Sequence, residues 1–113
     1  MRILGIILLI VGVSGCSRGP SITVANGSAS TLSNLVVIGS GFTNALGSLV
    51  PGERRVIHVH PHGESGVRLV FDVAGSRHDS GETGYFEDSS LYAVAVTVSA
   101  DLAVRTKDSL RRY

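Results

Sequence analysis

The chain has 113 residues, 43% of them hydrophobic, 5% aromatic and 17% charged, with a formal net charge of +1, one Cys and no Trp. That is enough chain for one small domain and too aliphatic a composition for disorder, and the near-zero charge removes the electrostatic support a general nucleic-acid binder needs. The apolar excess is uneven: 11 of the first 16 residues are hydrophobic, whereas from residue 17 onward nine basic and nine acidic residues cancel.

Met1-Arg2 gives a short positive start, residues 3–13 are apolar apart from Gly5 and Gly12, and small residues follow. This is the layout of a secretory signal peptide, and its apolar stretch is about half the length a membrane-spanning helix requires. Val13-Ser14-Gly15-Cys16 resembles the lipobox of bacterial lipoproteins. The resemblance implies that residues 1–15 are cleaved and that Cys16 becomes a lipidated first residue. With Ser17 rather than Asp in the next position, it also implies an outer-membrane location facing the periplasm. The alternative is an ordinary signal peptide in which Cys16 merely follows a small-residue site. The cysteine count favours the lipobox, because exported proteins usually keep cysteines in pairs. A lipidated Cys16 leaves no thiol for a disulfide, a metal ligand or a nucleophile. Residues 16–20 then make the lipidated cysteine and a tether, with Ser17 to Pro20 spanning at most ~14 Å.

Beyond residue 20, runs of β-branched residues are bounded by Gly, Pro, Asn and Ser, and helical periodicity is missing. Residues 21–26 alternate Ile22 and Val24 before an Asn26-Gly27-Ser28 turn signal, and residues 35–38 form a second strand with no obvious water-facing side. Pro51-Gly52 predicts a turn within residues 46–53. Residues 54–60 then alternate, with Arg55, Ile57 and Val59 on one face and Arg54, Val56, His58 and His60 on the other, until Pro61 ends the ladder. Val67, Leu69, Phe71 and Val73 mark a half-buried strand. Residues 75–84 read as an exposed loop and Tyr85-Phe86 as a short strand or bulge. Tyr92, Val94, Val96 and Val98 face one way along a long strand, with Ala93, Ala95 and Thr97 predicting that its other side is covered too. Leu102 and Val104 open a last strand. The expected architecture is an all-β, immunoglobulin-like antiparallel β-sandwich of about seven short strands over residues 21–107, followed by a polar tail at 108–113. Arg111 and Arg112, beside Arg105 and Lys107, read as a solvated end of that tail, with lipid headgroups as the other possible contact.

Asn26-Gly27-Ser28, Thr31-Leu32-Ser33-Asn34-Leu35-Val36-Val37 and Leu46-Gly47-Ser48-Leu49-Val50-Pro51-Gly52-Glu53 ahead of Val56-Ile57-His58-Val59 resemble the pattern of bacterial immunoglobulin-like modules of the CARDB and alpha-galactosidase-associated type. The likeness covers residues 21–60, and the second half of the chain departs from it. The whole chain also resembles small bacterial lipoproteins of unassigned function. Modules of this kind are non-catalytic, so the resemblance carries over no active-site residue. It implies a membrane-anchored lipoprotein with a binding or scaffolding role toward a protein partner in the bacterial envelope.

Two features invite a more specific chemistry. His58-Val59-His60-Pro61-His62 sets two imidazoles on one strand face with a third past the Pro bend, so a periplasmic Zn²⁺ or Cu²⁺ site on His58, His60 and His62 is the alternative function. A bland reading is a row of exposed histidines on an edge strand. Tyr85 and Phe86 make the candidate contact surface, weighed against simple packing at one end of the domain. Ser65 lacks the spacing of a nucleophile elbow, and His78-Asp79-Ser80 holds triad residue types without triad separation, so no catalytic residue is assigned and an enzyme is not expected. No Gly-rich loop opens a helix to hold a phosphate, and no cofactor is expected beyond the lipid.

Overall fold

The computed structural model describes residues 19–110. Among these there is no helix, and nine strands follow in chain order: β1 (Ser21–Asn26), β2 (Leu32–Gly39), β3 (Phe42–Leu49), β4 (Arg54–His58), β5 (Ser65–Val73), β6 (Ser76–Asp79), β7 (Thr83–Phe86), β8 (Tyr92–Val98) and β9 (Val104–Leu110). One sheet has the order β9-β8-β1-β4 and the other β3-β2-β5-β6, with β7 also paired to β5. The pairings are antiparallel except one: β1 runs parallel to β8, from Ser21 opposite Ala93 to Asn26 opposite Val98. The wholly antiparallel expectation is corrected there, because parallel neighbours need a long crossover and here most of the domain supplies it.

Alternation in each strand sends one row of side chains into a shared core. Ile22, Val24, Val94, Val96 and Val98 enter it from the first sheet, and Leu35, Val37, Val67, Leu69 and Phe71 from the second, all 0–2% exposed. Burying each such side chain contributes roughly 1.5–3 kcal/mol, which is how a domain without a disulfide holds together. The predicted faces of residues 54–59 are observed: Val59 is buried and Ile57 half-buried, while Arg54, Val56 and His58 are exposed. Arg55 shares the inner face, and its guanidinium reaches across to the other sheet, donating to the carbonyls of Leu46 at 2.5 Å and Ser48 at 3.4 Å and to Glu53 Oε2 at 3.0 Å. One sheet edge is thereby tied to the other by charge-assisted hydrogen bonds. On the opposite flank β7 approaches β9, with the Thr83 and Thr106 hydroxyls 2.6 Å apart.

Several boundaries differ from the sequence expectation. Residues 75–84 are not a loop: β6 and β7 both lie along β5. Ala74 and Gly75, at φ 51° and 83°, make the tight turn into β6, the conformation of a type I′ hairpin. Between β6 and β7 the Ser80 hydroxyl stands in for a backbone partner, accepting from Leu69 N at 2.9 Å. The predicted polar tail at 108–113 begins instead as strand, since Asp108, Ser109 and Leu110 pair with Val94, Ala93 and Tyr92. The outer side of β8 is not fully covered, because Ala95 is exposed and Ala93 and Thr97 are half-buried. In β2, Val36 and Ile38 are likewise only half-buried.

The end of the domain where β1 finishes is closed by a polar hub. Asn26 is 1% exposed; its Nδ2 donates to Ser30 O at 2.8 Å and Leu49 O at 2.9 Å, and its Oδ1 accepts from Ser28 N at 3.0 Å and Ser28 Oγ at 2.7 Å. Every donor and acceptor of the amide is used, which is what burial of a polar side chain demands.

Candidate functional site

Cys16, the lipobox at residues 13–16 and the predicted signal peptide lie outside the described residues, as do Arg111, Arg112 and Tyr113. The described chain begins in contact with the fold. Gly19 is buried, and a Cβ there would sit 1.9 Å from the carbonyl oxygen of Val59, so only glycine fits. The carbonyl of Pro20 accepts from Val59 N at 3.2 Å. The expected four-residue tether is therefore shortened, because its second half is packed against the segment that follows β4.

The three histidines stay near one another in sequence but do not form a ligand set. His58, His60 and His62 are all exposed. Nδ1 of His60 faces Asp88 Oδ1 at 3.6 Å, and the ring of His62 lies over Gly41, where even a Cβ would come within 2.6 Å of it. Pinning of the segment explains the divergence: His62 N donates to Ser40 O at 2.9 Å, which turns the chain away from the line of β4. Among the described residues no group of three or more His, Cys, Asp or Glu is placed to hold a metal ion.

Tyr85 and Phe86 part company. Phe86 is fully buried, its ring centroid 6.2 Å from that of Phe42 in a tilted pair, which corrects its assignment to a contact surface. Tyr85 remains 42% exposed, and its hydroxyl donates to a Glu87 carboxylate oxygen. That hydrogen bond, ahead of desolvation and the negative charge of Glu64 and Glu87, pushes the phenol up to about 12. Tyr85, Tyr92 and Leu110 line one shallow groove.

The hydroxyl of Ser65 is engaged locally, accepting from Ser40 N at 3.0 Å and donating to Gly66 O at 2.7 Å. His78 stacks on Phe71 at 5.4 Å, six positions along β5 from Ser65, or roughly 20 Å of extended strand. Beside it a second groove, lined by Ile38, Ser40 and Glu82 among others, is crossed by the pair Arg68–Asp79. Nε and a terminal nitrogen of Arg68 reach the two Asp79 oxygens at 2.9 and 2.5 Å. The Arg68 hydrogen bonds, then Gly81 N–H, hold the Asp79 carboxyl down at about 2. Sequence reading missed this pair, and the signal for it was register: Arg68 and Asp79 belong to neighbouring antiparallel strands.

Among the described residues no helix is long and apolar enough to cross a membrane. No protein-family model and no curated protein matches the chain. A solved structure does: an NMR structure of a protein from Eubacterium rectale is similar with a TM-score of 0.55 and 13% identity, over 85% of this chain and 93% of that one. At that identity the likeness concerns the fold, an all-β arrangement of two sheets around one core.

Proposed function

We propose that the chain is a lipoprotein of the bacterial cell envelope, anchored through lipid on Cys16 in the outer membrane and facing the periplasm. Its domain, read as an immunoglobulin-like sandwich, binds or scaffolds an envelope partner without catalysis. The observation that carries this reading is Val13-Ser14-Gly15-Cys16 directly after a charged start and an apolar stretch. The lone cysteine supports it, and so does the domain, whose chain changes sheet between β1 and β2, β3 and β4, β4 and β5, and β7 and β8, as sandwich modules do. Ser65 and His78 lie far apart, and the histidines at 58, 60 and 62 diverge, so neither hydrolysis nor a resident metal is part of the proposal.

The deciding measurement is the mass of the N-terminal peptide from native membranes. The expected mature protein begins at Cys16 and carries a thioether-linked diacylglycerol, and Cys16→Ser loses both the lipid and the processing at that site. A mature terminus elsewhere, without lipid, overturns the reading.

A further inference from the structure

We propose that one particular end of the domain, carrying Tyr85, Leu91, Tyr92 and Leu110, rests on the phospholipid surface. The proposal rests on the lipid-anchor reading above and adds to it the orientation of the domain and the residues that touch lipid.

Little chain lies between anchor and fold. Gly19 is locked against the Val59 carbonyl and Pro20 is hydrogen-bonded to Val59 N, so only Ser17 and Arg18 separate Cys16 from packed chain. Three Cα steps reach ~11 Å at most. The headgroup layer of one leaflet is itself roughly 5–8 Å deep. A lipid seated at the glycerol level therefore leaves the domain no room to stand away from the bilayer.

Register then says which residues are nearest. Ser21, the first residue of β1, stands in a row with His58, Ala93 and Ser109. Beyond that row, on the side from which the chain arrives, come the paired Leu110 and Tyr92 and then Leu91. Five large hydrophobic side chains are exposed among the described residues: Val50, Val56, Tyr85, Leu91 and Leu110. The last three gather at this end, Val50 is at the other, and Val56 lies midway along β4.

The chemistry suits an interface. Leucine supplies apolar area, and tyrosine places a ring in the acyl boundary and a hydroxyl among headgroups. Glu64, Glu87 and Asp108 lie beside Tyr85, while Arg18 and Arg111-Arg112 flank this end in the sequence, so opposite charges offset one another and the contact rests on apolar area.

The chain has no Trp, which gives a clean probe. Leu91→Trp, Leu110→Trp and Val50→Trp are made singly in the lipidated full chain and reconstituted in phosphatidylcholine vesicles with brominated acyl chains. Leu91→Trp and Leu110→Trp are expected to emit to the blue of Val50→Trp and to lose intensity to bromine, while Val50→Trp does neither. A Gly/Ser insert between Arg18 and Gly19 should weaken that quenching by lowering the effective concentration of bilayer. Tyr85→Trp replaces either leucine probe that fails to fold. With lipid verified on Cys16 by mass, unquenched probes overturn the orientation and leave the lipoprotein reading standing. A blue shift without bromine quenching overturns it in favour of a protein partner or a second copy. Absence of lipid on Cys16 overturns both readings.

Discussion

Where β1 ends, Asn26 is buried with all its hydrogen-bonding capacity used, and the neighbouring backbone is paired as well, with Gly27 N donating to Val98 O and Gly52 N to Asn26 O. Where β1 begins, Leu91 and Leu110 are left 40% and 58% exposed, and Gly19 is pressed against a carbonyl. One end is sealed by polar groups that satisfy each other. The other is packed inside by Phe42 and Phe86 and carries unpaired apolar surface outside. The polar seal spends its hydrogen-bonding groups on itself, whereas the leucines beside the arriving chain leave apolar area open.

The largest effect should come from Phe86→Ala, which empties a fully buried site and is expected to cost about 4 kcal/mol in urea unfolding of the chain lacking residues 1–15. Tyr85→Ala beside it should change stability by less than about 1 kcal/mol, since its ring is largely outside the core. Equal losses at the two positions would erase the distinction between inner packing and outer surface at this end. Next comes the sealed end. Asn26→Asp keeps the shape but removes the donors to Ser30 O and Leu49 O, for an expected loss of about 3 kcal/mol. Gly19→Ala should cost about 2 kcal/mol, because backbone rather than a flexible side chain occupies the space. Amide exchange at Val59 checks it, as the Pro20 acceptor must move if the alanine is accommodated.

The smallest effect concerns neither end. The Arg68 hydrogen bonds hold the Asp79 carboxyl at about 2 in the folded chain, against ~3.9 for an unfolded aspartate. A depressed carboxyl contributes stability that is present above the unfolded value and lost as pH falls through the folded one. Asp79→Asn should therefore lower the urea midpoint slightly at neutral pH and flatten its acid decline by the same small amount, because the pair is exposed and screened.

Much of this fold is readable wherever a strand has one wet and one dry side. The alternation of residues 54–59 and of Val67, Leu69 and Phe71 matches their burial, and Pro51-Gly52 is the turn it promises. Residues 76–79 escaped because Ser76, Arg77, His78 and Asp79 form an edge strand largely open to water, and polar edge strands carry no apolar period. Ala93, Ala95 and Thr97 misled in the other direction, since small side chains suit a wet face as well as a dry one. At the candidate surface the error was one of geometry. Consecutive strand residues point to opposite faces, so Tyr85 and Phe86 could not both be outside. The hydrogen bonds of Arg55 to Leu46 and Ser48 are invisible to any local pattern, because they depend on how two sheets meet.

The parallel pairing of β1 with β8 governs the order in which the molecule can assemble. β1 is the first of these strands to be synthesised and β8 the last but one, yet they are neighbours at the centre of one sheet. β1 can pair with β4 once the first half of the chain is present, but β8 and β9 come last, so the sheet has no middle until nearly the whole chain has emerged. Contacts so distant in sequence close slowly, and the centre of this sheet is completed after the other sheet has all its strands.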